Sequence, residues 1–174
     1  MHNTPSFGGY NCILIDPPWP QRMSNPYKNS KQKRPPKLPY KTMALEEIAD
    51  LPVGTLGGDG SHLWLWTTNQ FLRDGFDLME CWGFKYLAPV HWIKPSGLGN
   101  WFVTRTQTLL FGYKSPCKFG PGRYSPNIIE AVPPRHSQKP EVSFELIESI
   151  SSGPRIELFA RAKREGWDSW GDEC

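Results

Sequence analysis

The chain has 174 residues, of which 38% are hydrophobic and 21% charged, and its formal net charge is +3. This composition favours a single folded domain, residues 1–174, and excludes a globally disordered chain. No apolar run approaches the roughly 20 residues that a membrane-spanning helix needs, and the polar segment 1–9 lacks the apolar centre of a signal peptide. We therefore expect a cytoplasmic protein without a membrane partner.

Short apolar runs bounded by Gly or Pro predict strands in the first two thirds of the chain. These runs cover residues 11–15, 62–66, 84–94 and 106–113. A short helix is expected at 44–49, and a longer one near 72–82, where apolar residues recur at helical spacing and Gly83 follows. A strand followed by a helix is the repeating unit of an α/β fold.

The last third of the chain continues this alternation. It predicts a strand at 127–131, a helix that opens with Pro140 in its first turn, and a strand at 155–160. Alternating short strands and amphipathic helices predict an open α/β sheet covered by helices on both faces. Ligands of such sheets bind beyond the carboxyl ends of the strands.

Positive charge is concentrated between Pro17 and Leu45, a stretch without an acidic residue. Its basic residues are Arg22, Lys28, Lys31, Lys33, Arg34, Lys37 and Lys41. Such density is typical of a surface that meets a phosphate-bearing polymer, although a solvated loop is the plainer interpretation. Residues 20–41 are therefore predicted to be a basic, substrate-binding loop.

The four cysteines give no sign of a metal site. Cys12, Cys81, Cys117 and Cys174 stand far apart and form no Cys-x-x-Cys pair. We expect reduced thiols and no bound metal.

The tetrad Asp16-Pro17-Pro18-Trp19 directly follows the first predicted strand. An adenine amine is a poor nucleophile because its lone pair is delocalised into the ring. The Asp16 carboxylate and the Pro17 carbonyl can accept the amine hydrogens, and the ring of Trp19 can stack on a base. The alternative is that Asp-Pro-Pro is only a turn that ends the strand.

Further blocks accompany the tetrad in a fixed order over residues 11–173. They include Tyr40-Lys41-Thr42-Met43, Leu65-Trp66-Thr67-Thr68-Asn69, His91-Trp92-Ile93-Lys94, His136-Ser137-Gln138-Lys139-Pro140, Ile156-Glu157-Leu158-Phe159-Ala160-Arg161 and Gly166-Trp167-Asp168-Ser169-Trp170-Gly171. In type and order these blocks resemble the DPPW family of S-adenosylmethionine-dependent adenine N(6)-methyltransferases. That family includes the catalytic subunit of the eukaryotic mRNA adenosine methyltransferase and many bacterial and phage DNA enzymes. The resemblance implies a Rossmann-like methyltransferase fold, with a mixed, mostly parallel sheet and helices on both faces, whose catalytic motif precedes much of the cofactor site.

The resemblance also implies roles for individual residues. The catalytic positions are Asp16, Pro17, Pro18 and Trp19. The positions implied to bind S-adenosyl-L-methionine are Asp16, Lys139, Glu157, Phe159, Arg161, Asp172 and Glu173. The positions implied to bind substrate are Trp19, Arg22, Lys28, Lys31, Lys33, Arg34, Lys37 and Tyr40. Plainer interpretations are a strand-end ion pair for Glu157 with Arg161, and a solvated loop lysine for Lys139.

The reaction implied by the resemblance is methyl transfer to the exocyclic amine of a flipped-out adenine. DNA is the expected polymer, as for a bacterial or phage-encoded enzyme, because no added RNA-binding motif is present; RNA is the first alternative. A non-catalytic nucleic-acid-binding homologue or partner subunit is the second. Residues 95–126, which include Arg105 and Lys114, are a candidate target-reading insertion. Gln107 stands where many relatives carry an acidic residue.

Overall fold

A computed structural model describes residues 8–20, 41–98, 102–133 and 138–171. Its strands are β1 Cys12–Ile15, β2 His62–Thr67, β3 Lys85–Leu98, β4 Thr104–Tyr113, β5 Ile128–Glu130, β6 Arg155–Leu158 and β7 Trp167–Trp170. Its helices are α1 Leu45–Ala49, α2 Val53–Leu56, α3 Leu72–Cys81 and α4 Glu141–Ile150, with a 3₁₀ turn at Asn69–Phe71 before α3.

The described strands form one seven-stranded sheet in the order β5-β3-β4-β2-β1-β6-β7. β4 pairs antiparallel with β2 and β3, and the other neighbouring pairs are parallel. Because β4 alone among these strands is reversed, its amino end meets the carboxyl ends of the other six at one edge. We call this the carboxyl edge. The predicted mixed, mostly parallel sheet is confirmed.

Helices cover both faces of the sheet, as predicted. On one face, Ile48 of α1, Leu56 of α2 and Met79 of α3 join a buried cluster with Ile13 and Leu65 of the sheet. On the other face, Phe144, Ile147 and Ile150 of α4 pack with strand residues that include Cys12, Leu14 and Trp64. Every residue of β1 is buried, since its alternating side chains enter two cores.

Two elements lie outside the predicted pattern. α2 follows Pro52 in a Gly-rich stretch whose sequence favours a turn. β7 is a strand of four residues in which Asp168 and Ser169 separate two tryptophans. Pro140 is the N-cap of α4 and has extended backbone angles, rather than a place in the first turn.

Residues 95–126, the candidate target-reading insertion, include strand residues of the sheet. They contain the end of β3 and all of β4, and β4 lies between β2 and β3 near the middle of the sheet. β4 is therefore part of the scaffold of the sheet. No helix in the described ranges is long and apolar enough to cross a bilayer.

Candidate active site

Asp16 lies at the carboxyl edge, directly after β1. The preceding residue, Ile15, is in register with Leu65 of β2 and Leu158 of β6, so Asp16 stands between two parallel strands. Its carboxylate forms an ion pair with the ammonium of Lys139. Lys139 immediately precedes the N-cap of α4, so the sheet topology joins two loops that are distant in sequence.

This ion pair is largely withdrawn from solvent. The side chain of Lys139 is 11% exposed and that of Asp16 is 21% exposed. The ammonium also lies 5.3 Å from the ring centroid of Trp66. Charges in such surroundings interact more strongly than a surface pair. The interpretation of Lys139 as a solvated loop lysine is therefore wrong.

A cavity of about 310 Å³ adjoins the pair at the carboxyl edge. Residues that line it include Asp16, Lys139, Glu157, Phe159 and Arg161, which are five of the seven predicted cofactor positions. The other two, Asp172 and Glu173, lie outside the described residues. The predicted cofactor positions that the structure describes thus converge on one concave site.

Glu157 is the most electrostatically perturbed carboxyl group of this cavity. Burial and, to a lesser degree, the nearby carboxylate of Asp16 raise its pKa to about 7, against the opposing effect of Arg164 and Lys139. A carboxyl group with such a pKa is partly protonated at neutral pH. It can therefore accept hydrogen bonds, or donate one, according to what occupies the cavity.

The backbone after β6 is held in an uncommon conformation. Phe159 has φ of 61°, a left-handed value that costs a non-glycine residue energy. Its N–H donates to the carbonyl of Trp170 at 2.6 Å, which ties this turn to β7. Gly171 then packs so closely that an added Cβ would lie 2.6 Å from the carbonyl oxygen of Ala160. The cavity wall is therefore fixed by its fit to β7.

A second ion pair joins the loop before β7 to the start of α4. Arg164 donates through both terminal nitrogens to the two carboxylate oxygens of Glu141, each at 2.5 Å, and lies 3.8 Å from the ring centroid of Phe144. The pairing lowers the pKa of Glu141 and raises that of Arg164. Both residues line the cavity. Nothing in the sequence signals this contact, because the partners are 23 positions apart.

The remainder of the tetrad is held by backbone hydrogen bonds. The carbonyl of Pro17 accepts from the N–H of Trp19 at 2.8 Å, and the carbonyl of Pro18 accepts from the N–H of Met43 at 2.9 Å. A carbonyl oxygen has two lone pairs. Pro17 can therefore accept a further hydrogen from a substrate amine.

Trp19 lies in the core, which differs from the expected stacking on a base. Its side chain is 9% exposed, and its ring stacks on Phe71 with centroids 5.1 Å apart. Its indole N–H donates to the backbone carbonyl of Trp66 at 3.1 Å. In this structure the ring packs the turn after β1 against the sheet.

A family model described as MT-A70 matches residues 10–173 of the chain. The chain belongs to the MT-A70 family. The resemblance seen in the sequence blocks is thereby confirmed.

Relatives of this MT-A70 domain come from eukaryotes and from Mycoplasma. A putative N(6)-adenosine-methyltransferase MT-A70-like protein of Medicago truncatula is 30% identical over 178 residues, which cover 95% of the chain and 26% of the relative. The human N(6)-adenosine-methyltransferase catalytic subunit METTL3 is 28% identical, over 95% of the chain and 28% of its own length. The type II methyltransferase M.MunI of Mycoplasma is 28% identical, over 94% of the chain and 77% of its own length. The chain thus spans about a quarter of the length of the two adenosine methyltransferases.

Lys94 of the MT-A70 domain belongs to the site, although the sequence blocks assign it no role. Its ammonium donates to the side-chain oxygen of Gln107 at 3.3 Å and lies 4.5 Å from the ring centroid of Trp92. Trp92 in turn contacts Trp66, with ring centroids 6.1 Å apart, and Trp66 carries Lys139 on its face. Burial, followed by the positive charge of Lys139, lowers the pKa of Lys94. Lys94 is therefore an electrostatic neighbour of the Asp16–Lys139 pair.

The predicted polymer-binding residues of the MT-A70 domain divide by location. Arg22, Lys28, Lys31, Lys33, Arg34, Lys37 and Tyr40 lie outside the described residues. Arg105, near the start of β4, is at the carboxyl edge. Lys114 lies at the opposite edge of the sheet. Its ammonium donates hydrogen bonds to the backbone carbonyls of Gly54 and Gly57, at 2.5 and 2.9 Å, and so holds α2 against the end of β4. Lys114 has a structural role there.

Proposed function

We propose that this domain transfers the methyl group of S-adenosyl-L-methionine to the exocyclic amine of adenine in DNA. The observation that carries the proposal is the convergence of Asp16, Lys139 and Glu157 at one cavity of the carboxyl edge. Family membership supports the same reaction class, because the relatives are named methyltransferases.

The charges that line the cavity suit S-adenosyl-L-methionine. The ammonium of Lys139 complements the carboxylate of its methionine part, and the Glu157 carboxyl group complements the hydroxyls of its ribose. Phe159 and Phe144 add aromatic surface to the same wall. When bound, the cofactor supplies a methyl group on a positively charged sulfur.

Asp16 and Pro17 act on the amine. The carboxylate of Asp16 and the free lone pair of the Pro17 carbonyl accept the two amine hydrogens, which returns electron density to the nitrogen. S-adenosyl-L-methionine, held by Lys139 and Glu157, would supply the methyl carbon to this nitrogen and keep the electron pair of the broken carbon–sulfur bond, and the extra proton of the amine would leave to water. The main contribution of these residues is to position the amine in line with the methyl group.

Lys139 connects the two halves of the site. Its ammonium holds the Asp16 carboxylate in one place. An acceptor fixed before the substrate arrives needs little reorganisation during the reaction. We therefore assign Lys139 a role in orienting Asp16 as well as in binding the cofactor.

DNA is the preferred polymer in this proposal. Of the three relatives described above, the chain covers 77% of the type II methyltransferase and about a quarter of the other two. The alignment thus extends over most of the type II enzyme, which supports its class as the first candidate. RNA is the second candidate, because the other two relatives are named adenosine methyltransferases.

The proposal is tested by incubating the protein with labelled S-adenosyl-L-methionine and matched DNA and RNA oligonucleotides, single- and double-stranded. The expected product is N6-methyladenine in DNA, identified by mass spectrometry of the nucleosides. Asp16→Asn should lower the rate by roughly a hundredfold or more, as for loss of a positioned acceptor. Asp59→Asn, an exposed aspartate before β2, is the matched control. Absence of methylated adenine from every substrate, or full activity in Asp16→Asn, would overturn the proposal.

A further inference from the structure

A second cavity of about 310 Å³ lies at the carboxyl edge, beside β3 and β5. Its lining includes Lys94, Pro95, Arg105, Glu130 and Val132. We call it the β3–β5 cavity. It is distinct from the cavity next to Asp16 and Lys139, with which it shares no lining residue.

The cavity exists because β5 is much shorter than β3. β5 has three residues and pairs with His91–Ile93 of β3, whereas β3 continues to Leu98. Within the described part of the chain, no strand therefore pairs with the outer edge of β3 beyond Ile93. β4 follows β3 on the inner side, up to the pairing of Leu98 with Thr104.

The side chains around the cavity carry both signs of charge. The Nε of Arg105 donates to the carbonyl of Lys94 at 2.8 Å, which fixes the base of its guanidinium. Among the described residues, the side chains of Arg105, Lys94 and Glu130 form no ion pair. Two cationic donors and one carboxylate acceptor thus remain available beside apolar walls from Ile93, Pro95 and Val132.

Contacts connect this cavity to the proposed reaction centre. Lys94 lies on Trp92, Trp92 contacts Trp66, and Trp66 carries Lys139, whose ammonium pairs with Asp16. Two tryptophan rings therefore separate the lysine of one cavity from the lysine of the other. The β3–β5 cavity is therefore a neighbour, through these two rings, of the site proposed to hold an adenine at Asp16.

We propose that the β3–β5 cavity receives a nucleobase adjacent to the target adenine and reads its edge through Arg105, Lys94 and Glu130. This inference rests on the proposed function. A phosphate is the poorer occupant, because the Glu130 carboxylate would repel it. A nucleobase has a flat apolar body with donors and acceptors on its edge, and so matches the lining. Guanine fits best, since arginine and lysine donate to its O6 and N7 and a carboxylate accepts from its amino and imino groups.

The test compares methylation of oligonucleotides that carry each of the four bases on either side of a single adenine. Wild-type protein should prefer guanine at one of these positions by roughly tenfold, the size expected for one good base contact. Glu130→Gln and Arg105→Gln should each reduce that preference to about twofold at the same position. Arg73→Gln, which removes an exposed cation of α3, is the control and should keep both the rate and the preference.

The outcomes separate the inference from the function on which it rests. If the variants lose activity equally on all sequences, the residues contact the backbone or only support the fold, and the inference is wrong. A wild-type protein that methylates every neighbour equally well also overturns it. If no oligonucleotide is methylated at all, the proposed function itself fails. Thermal unfolding of each variant identifies a folding defect. If Arg105→Gln is defective, Glu130→Gln is the decisive variant, because Glu130 is exposed at the end of β5.

Discussion

Lys139 and Asp16 are 123 positions apart in the chain, and their side chains form one ion pair at the carboxyl edge of the sheet. Asp16 follows β1 near the start of the fold, and Lys139 precedes α4 near its end. The pair joins the residue proposed to hold the target amine to the residue proposed to hold the methyl donor. Its geometry therefore couples the two halves of the reaction.

Replacement of Lys139 should weaken the binding of S-adenosyl-L-methionine. Lys139→Gln removes a charge that complements the carboxylate of the cofactor, so we expect affinity to fall by roughly ten- to a hundredfold, the effect of losing a hydrogen bond to a charged group. Isothermal titration calorimetry measures this change. Lys118→Gln removes the same charge at an exposed position and should bind like the wild type. Unchanged affinity in Lys139→Gln would remove Lys139 from the cofactor site.

Replacement of Trp19 by Phe separates packing from chemistry. The variant keeps a ring against Phe71 but loses the hydrogen bond to the buried carbonyl of Trp66, so the free energy of unfolding should fall by about 1–3 kcal/mol. Urea denaturation measures the loss. Trp82→Phe is the matched control, because its indole N–H donates to the carbonyl of Ala49 at 3.1 Å, away from the site.

Both tryptophan variants should lose similar stability, but only Trp19→Phe should also lower kcat, because its indole N–H holds the turn that carries Asp16. An unchanged stability combined with a raised KM for nucleic acid would instead support the expected role of Trp19 in base stacking.

The titration of Glu157 should make the stability of the fold depend on pH. Its pKa is about 7 in the folded protein and near the ordinary value of 4.5 in the unfolded chain. Between these values the folded protein holds a proton that the unfolded chain releases, so the free energy of unfolding should fall as the pH rises from about 4.5 to 7. Thermal unfolding across this range measures the effect. Glu157→Gln should abolish this part of the slope and raise the Tm at pH 8.

The exposed Glu80 at the end of α3 supplies the control for that series, since Glu80→Gln should retain the slope of the wild type. An identical pH profile for Glu157→Gln and the wild type would show that Glu157 does not titrate in this range. Glu157→Gln should also weaken the binding of S-adenosyl-L-methionine at pH 8, because a neutral amide replaces the carboxylate acceptor. Stability and binding would then change in opposite directions.

The close packing of Gly171 predicts an effect on the cofactor cavity. In Gly171→Ala the new Cβ would meet the backbone of Ala160, which cannot move without displacing the turn at Phe159. We expect weaker binding of S-adenosyl-L-methionine and a Tm lower by several degrees. Gly58→Ala is the control, because an added Cβ meets no atom within 4 Å there. Wild-type affinity in Gly171→Ala would show that the wall tolerates displacement.

Sequence reasoning anticipated the part of the site that depends on parallel strands. Asp16 and Glu157 follow or end apolar runs, and parallel strands bring such positions to a common edge, so their proximity was predictable. The position of Lys139 was available only through its place in a family block. Burial of the whole of β1 likewise follows from its apolar sequence between two helical layers.

The residues that sequence reasoning missed depend on strand reversal and loop packing. Lys94 joins the site because β4 runs antiparallel beside β3 and presents Gln107 to it, and a single sequence does not specify that pairing. The contact of Arg164 with Glu141 depends on the path of the loop before β7. The core position of Trp19 was missed because an aromatic residue beside a catalytic motif has the same sequence pattern in either role.

The hydrogen bond from the indole of Trp19 to the backbone of β2 divides the tetrad into a reactive part and an architectural part. Asp16 and Pro17 can change the chemistry, whereas Trp19 maintains the shape in which that chemistry occurs. A homologous chain that replaced the acid but kept the tryptophan would preserve the fold of this turn without its acceptor. In the proposed function, such a chain would keep the packing of this turn on β2 and lose the acceptor for the target amine.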